Sequence, residues 1–368
     1  MSLHELTPEQ QEIRSLARRF ADEQIAPHAA EWDRDHTFPR EVFGRLGELG
    51  LMGVCVPEEH GGAGADFLSY ALVLEELSRA DAGVGVTVAV HTSACTLPLL
   101  MHGSEHVDAL ASGEELGAFA LTEAGSGSDA SAMRTRYADG RLTGAKQWIT
   151  NGSYASTFLV FARDGERIGA FVARAGADGF SVTREERKLG LNSSSTADIA
   201  FEDTPAERLG EPGKGMAIAL RTLDGGRIGI AAQAVGIAQA ALDLASGYAK
   251  ERNAFGGPIA RIGAIQQKLA DMQTEIEAAR ALTWRAARLK EAGHPHTVEG
   301  AQAKLFASGV ARRQTGEAIQ VLGGYGYTKE FPAERFYRDA KVTEIYEGTS
   351  EIQRLVIARA LLGEAMRG

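Results

Sequence analysis

The chain reads as an α+β multidomain protein: an N-terminal helical domain, a middle β-barrel or sandwich domain, and a C-terminal bundle of long helices. Three observations predict this. Apolar residues recur at helical spacing up to about Ser112. Near Gly117 the period shortens into a series of strand-like runs. Helical spacing then returns after Pro212-Gly213-Lys214-Gly215. The expected domains are residues 1–115, 116–208 and 209–368, and a chain of 368 residues can bury a core in each.

Thr7-Pro8-Glu9-Gln10 predicts a helix start, with Thr7 as N-cap, Pro8 at the first position and Gln10 completing a capping box. Arg40 to Leu49 predicts a second helix ended by Gly50, and Leu68 to Leu77 a third. The uncharged run from Ala82 to Ser104 is long enough to span a membrane, but His91, Pro98 and three glycines favour a buried core helix. Strands are expected at Gly117–Glu123, Met133–Tyr137, Arg141–Trp148, Thr157–Phe161, Ile168–Ala173, Phe180–Thr183 and Ala197–Phe201. Asp139-Gly140 and Asp164-Gly165 are hairpin turns between them. Beyond Gly215 a short helix (Met216–Leu223) and three long ones (Arg227–Arg252, Ile265–Leu289, Thr297–Leu322) are expected, then one after Thr349.

Apolar and charged contents of 44% and 24% are those of a globular protein, and a net charge of −10 argues against a nucleic-acid surface. Cys55 and Cys95 form no Cys-x-x-Cys pair and suit a reducing cytosol, so a cytoplasmic location is expected. The N-terminus carries acids from Glu5 onward and no apolar h-region, so no signal peptide is expected. No metal is assigned: Gly103 interrupts the His102/His106 pair, and His294 and His296 merely flank a proline.

Gly125-Ser126-Gly127-Ser128-Asp129-Ala130 matches a dinucleotide-loop pattern, but a hairpin pattern follows it instead of a long helix. Its amides can still form an anion nest, so it reads as a phosphate or cofactor loop of another fold. Gly213-Lys214-Gly215 lacks the hydroxyl of a P-loop. Trp148 and Thr150, two apart at a strand end, share one face; the pair fits a core aromatic or the wall of a flat heterocycle. In Tyr346-Glu347-Gly348-Thr349-Ser350 a carboxylate is held in a loop ahead of a capped helix, which fits either a surface acid before an N-cap or a positioned base.

Together with Leu121 to Asp129, Trp148 to Gly152, Glu251 to Gly256 and Gln320 to Gly326, that last stretch closely resembles the acyl-CoA dehydrogenase family, most of all its short-chain, butyryl-type branch. The resemblance covers nearly the whole chain and implies a C-terminal four-helix bundle. It also implies FAD between the β-domain and that bundle, in a homotetramer that is a dimer of dimers. By the family's motifs Phe119, Leu121, Thr122 and Ser128 would line the flavin, and Trp148, Ile149 and Thr150 would cover its other face. Arg252, Phe255, Gln320, Gly323 and Gly324 would reach a neighbour's FAD, and Thr349 and Glu351 would close around the cofactor. Ser128, Asp224, Gly225, Gly226, Arg227 and Gly348 match positions that touch the acyl-CoA.

The α-hydrogen of a thioester is weakly acidic, so its removal needs a fixed base and stabilisation of the carbonyl oxygen. The resemblance assigns the base to Glu347, the β-hydride to the flavin, and the electrons to an electron-transfer flavoprotein. The family's other base position falls in the expected loop Leu223–Arg227, where Gly226 offers no carboxylate. Gly263 stands where short-chain relatives often carry a glutamine near FAD. A same-fold oxidase and dehydrogenases of branched, aromatic or carrier-bound acyl thioesters share these motifs. A non-enzymatic flavin scaffold would lack Glu347 or carry a basic face.

Overall fold

In the computed structural model, which describes residues 5–366, the first helix starts on Thr7 with both halves of the expected capping box. Gln10 N donates to Thr7 Oγ1 (3.2 Å) and Thr7 N to Gln10 Oε1 (2.9 Å), satisfying two amides that the helix itself leaves free. The outermost residues of the expected first and third domains lie outside the described residues. The N-terminal region holds α1 (Pro8–Phe20), α2 (Ala29–Asp35), α3 (Arg40–Glu48), α4 (Phe67–Ala80), α5 (Ala82–Ala89), α6 (Leu97–Met101) and α7 (Val107–Ala111). A π-helical stretch, Val90–Thr96, joins α5 to α6. The uncharged run is therefore a buried core helix, with 89% of its most apolar window covered by protein.

The β region follows the expected runs with shifted ends: β1 (Gly117–Ala120), β2 (Arg136–Ala138), β3 (Arg141–Thr150), β4 (Thr157–Asp164), β5 (Arg167–Arg174), β6 (Phe180–Glu185) and β7 (Thr196–Leu209). Both Asp-Gly turns join antiparallel partners, β2 to β3 and β4 to β5. β7 is much longer than the expected Ala197–Phe201 because each part has its own partners. Thr196–Pro205 pairs with β3, Ala197–Phe201 also pairs with β6, and Ala206–Leu209 pairs with β5. The pairings β4–β5, β5–β7, β7–β3, β3–β2 and β2–β4 run in a ring around Phe158, Val160, Phe171, Ile199 and Phe201.

One expectation fails in the C-terminal region. Met216–Leu223 and Arg227–Arg252 are not two helices but a single one, α8 (Gly215–Glu251), and the expected loop at Leu223–Arg227 is helical. Two glycines weaken an isolated helix by about 1 kcal/mol each. Here Gly225 and Gly226 are buried in packing, which overrides that propensity. Although α8 is also apolar enough to cross a membrane, 83% of its most apolar window is covered by protein. It packs against α4, α9 (Gly263–Glu291) and α10 (Thr297–Leu322). α11 (Ala333–Val342), which the spacing does not predict, and α12 (Ser350–Leu362) follow.

Candidate active site

Glu347 lies in the turn between α11 and α12, and the turn has an unusual backbone. Glu347 has φ +54° and Gly348 φ +90°, two consecutive residues in the left-handed region. Gly348 adopts that conformation freely, whereas a glutamate does so only when its surroundings impose it. Thr349 then caps α12, its Oγ1 accepting from Ile352 N at 3.4 Å. Gln353, fully buried, reaches back to the carbonyls of Gly348 (2.8 Å) and Glu347 (3.3 Å). The buried Lys304 donates to the same Gly348 carbonyl from α10 at 2.6 Å.

The carboxylate points at α8. A methyl carbon built on Gly226 would stand 2.5 Å from Glu347 Oε2 and 2.9 Å from its Cδ, so the absent side chain is what makes room for the acid. Oε2 is enclosed and has no hydrogen-bond partner, and Arg227 Nε nearby is also buried and unpartnered. Asp224 accepts from Arg227 Nη1 at 2.7 Å and, through its other oxygen, from Thr297 at 2.6 Å. Burial pushes the Glu347 pKa up to about 7, while the charges of Lys304 and Arg227 pull the other way. The hydroxyl of Tyr346 donates to Gln233, which itself donates to the Ala82 carbonyl.

One residue before Gly226, Gly225 lines a cavity of about 140 Å³. Leu97, Pro98, Met101 and Ile218 form its apolar wall, while Lys214, Arg221 and Lys290 contribute cations. The Lys290 ammonium lies 4.7 Å from the centre of the Phe67 ring.

On the β region, Glu123 organises the Gly-Ser loop. Its Oε1 accepts from Lys146 Nζ (2.8 Å) and Thr135 N (3.0 Å), and its Oε2 from Arg134 N (2.6 Å). Burial alone would raise the Glu123 pKa, but the bond and charge of Lys146, with these amides, hold it below the usual range. Lys146 itself has no exposed side chain, and burial lowers its pKa to about 8. Glu123→Gln would leave the buried lysine without a countercharge, with the Leu121 carbonyl (2.9 Å) as its other acceptor. We expect a loss of about 3–5 kcal/mol in denaturant unfolding, the cost of breaking a buried pair from one side.

A bulge interrupts β3 between Lys146 and Ile149, where two residues oppose the single Asp198. Trp148 takes φ +59° there, its amide donating to Asp198 Oδ1 at 3.1 Å, and 57% of the residue is exposed. This indole is not a core aromatic. Thr150 is half-buried, and Ile149 is buried in the β core. Phe119 is half-buried against Phe161, Leu121 is buried, Thr122 is half-buried and Ser128 is exposed.

Arg252, Gly323 and Gly324 gather around a separate open hollow, and the Arg252 guanidinium lies 5.9 Å from the centre of the Tyr325 ring. Phe255 is 97% exposed, and Gln320 is also exposed. Thr349 is half-buried and Glu351 exposed. Elsewhere Glu105, His106 and Glu207 bring three donor atoms within 4.8 Å of one another. Lys304 and Gln353 escape a motif-based reading. The available signal for Lys304 is its place among Gly300, Ala301, Ala303 and Ala307, on the apolar face of α10.

Three family models match the chain: Acyl-CoA dehydrogenase, N-terminal domain over residues 7–110, middle domain over 118–204, and C-terminal domain over 213–362. The mouse (Mus musculus) short-chain specific acyl-CoA dehydrogenase, mitochondrial, is 50% identical, covering 97% of this chain and 91% of that one. The structure of butyryl-CoA dehydrogenase from Megasphaera elsdenii matches with TM-score 0.95 and 44% identity, over 97% of this chain and 99% of that chain. A chain in a structure described as electron transferring flavoprotein of Acidaminococcus fermentans matches with TM-score 0.96 and 45% identity, over 98% and 99%.

Proposed function

The chain belongs to the acyl-CoA dehydrogenase family, and from that premise we propose that Glu347 is the base of its reaction. The protein is an FAD-dependent enzyme that oxidises an acyl-CoA to the trans-2-enoyl-CoA. The observation that carries the assignment of the base is the enclosed, unpartnered Glu347 Oε2 facing a helix that has no side chain at Gly226.

The site residues fit that cofactor. Trp148 offers an exposed aromatic face, and Gly125 and Gly127 leave open backbone in the loop that Glu123 holds, with nothing within 4 Å of a built methyl carbon at either. Trp148 and Thr150 would cover one side of the ring, with Phe119, Leu121, Thr122 and Ser128 around it. Bound there, FAD supplies the hydride acceptor.

The chain's own task is proton removal and charge control. Glu347 takes the α-proton, and its left-handed turn fixes the direction from which the carboxylate approaches. The Glu347 amide has no acceptor among the described residues, which leaves it available to a thioester carbonyl. Asp224, Gly225, Gly226 and Arg227 of α8, with Ser128 and Gly348, would touch the substrate. The ring of strands acts as a β-barrel, and α8, α9, α10 and α12 as the four-helix bundle.

A short- or medium-chain acyl group suits the cavity beside Gly225. At about 140 Å³ it is close to the roughly 150 Å³ that accommodates a benzene-sized apolar molecule. Electrons would leave to an electron-transfer flavoprotein docking near Trp148. The hollow at Arg252, Gly323 and Gly324 and the exposed Phe255 fit contact with a neighbour's FAD in a homotetramer. The unpaired thiols Cys55 and Cys95 suit a cytoplasmic setting.

Anaerobic titration of the yellow protein with butyryl-CoA, octanoyl-CoA and isovaleryl-CoA tests the reading. Bleaching is expected with butyryl-CoA first, and flavin that stays oxidised with all three would overturn the assigned substrate class. The pH dependence has a defined sign. Below about pH 7 Glu347 holds a proton and cannot accept another, so the bleaching rate should rise with pH through that value. Because the folded-state pKa lies above the ordinary glutamate value, the folded state binds more protons in that window. The group's contribution to stability is therefore lost as pH rises from the ordinary glutamate range through about 7, which thermal melts across the window would show.

A further inference from the structure

Lys304 is fully buried on α10, and no acid lies within ion-pairing distance of its ammonium among the described residues. Its one hydrogen bond is to the Gly348 carbonyl, at 2.6 Å. Burying an ammonium is costly, and a neutral side chain could reach a carbonyl at less expense. The carbonyl it holds belongs to the residue after Glu347, in the turn where a glutamate is kept at φ +54°. Gln353 donates to the same carbonyl, so the turn is fixed from two helices at once.

The charges around this lysine are few. Glu347 faces it from the turn, Arg227 from α8, Glu344 from the segment after α11, and Glu351 from α12. Glu344 is already paired with Arg312 and Lys341, and Glu351 is exposed. Glu347 is faced in turn by Lys304, Arg227, the buried Tyr70 of α4 and its neighbour Tyr346. The lysine thus places positive charge beside the acid without occupying Oε2, which stays unpartnered. A direct ion pair would leave the carboxylate charged but engaged.

We propose that Lys304 is a positioning residue for the base: it clamps the Gly348 carbonyl, holds Glu347 in its left-handed turn, and supplies charge to the acid from a distance. This rests on Glu347 being the base. In support, Lys304 is the larger of the two charges that draw the Glu347 pKa down against burial. Removing it should leave the acid harder to ionise.

The test uses the FAD-loaded protein with Lys304→Met, which loses both donor and charge, and Lys304→Gln, which keeps a donor and loses only the charge. The readouts are flavin content, melting temperature, and the pH profile of anaerobic bleaching by butyryl-CoA. Both variants should move the rising limb upward by about one pH unit, the scale for a lost neighbouring charge. Lys304→Met should also slow bleaching about 100-fold at high pH, where the acid is ionised but misplaced, and Lys304→Gln should recover most of that loss. A purely structural lysine would lower the melting temperature and leave the limb in place, and that result in Lys304→Gln overturns the proposal even if Lys304→Met fails to fold. Glu347→Gln run alongside separates the two claims. If it bleaches within a few-fold of the wild-type rate, the base assignment falls; if it is slowed at least about 100-fold while both lysine variants keep the wild-type limb, only the role of Lys304 falls.

Discussion

Glu347→Gln is expected to keep its bound flavin and lose turnover by a factor of about 10² to 10⁴, the range that a positioned general base contributes. The substitution is nearly isosteric, so it tests chemistry more than packing. The acid's Oε2 has no partner whose loss would destabilise the fold, and Gly226 leaves room for an amide of the same size. Flavin absorbance and melting temperature should therefore stay near those of the wild type while anaerobic bleaching by butyryl-CoA slows by that factor. A variant that bleaches within a few-fold of the wild-type rate would remove Glu347 from the mechanism.

Gly226→Ala should also be strongly damaging, for a reason that the composition of the turn does not suggest. The new methyl carbon would stand 2.5 Å from Glu347 Oε2, closer than real contacts allow. What it meets is the far end of a flexible side chain, so the carboxylate can move aside at little cost to folding. Alanine also favours the helix over glycine by about 1 kcal/mol. The expected result is an unchanged or slightly higher melting temperature with bleaching slowed about 100-fold, the scale of an ångström-sized misplacement. Stability measured by denaturant and bleaching measured anaerobically on the same preparation distinguish this from simple misfolding. Loss of both together would show that the helix, and not the base, absorbs the clash.

The helical–β–helical order was legible because hydrophobic period is a local property, and so were the two Asp-Gly turns and the Thr7 cap. The single helix α8 was not. Its Gly225-Gly226 step reads locally as a break, and only packing against neighbours keeps it helical. β7 exceeds its apolar run because it serves three partner strands, which no local pattern encodes. The order of motifs pointed to Glu347 as a base, but its setting came from tertiary structure. The clamp by Lys304 and Gln353 joins residues 44 and 5 positions from Gly348. Trp148 is similar: its spacing from Thr150 is visible in the sequence, whereas the bulge that turns it outward depends on Asp198 of β7.

The most direct test of the mechanism is anaerobic single-turnover mixing of the oxidised protein with butyryl-CoA and with its α,α-dideuterated form, in wild type and Glu347→Gln. Proton removal by Glu347 predicts slower bleaching of the wild type by the deuterated thioester and bleaching of the variant at least about 100-fold slower with either. Equal rates for the two thioesters in the wild type, with bleaching of the variant within a few-fold of the wild-type rate, would contradict it.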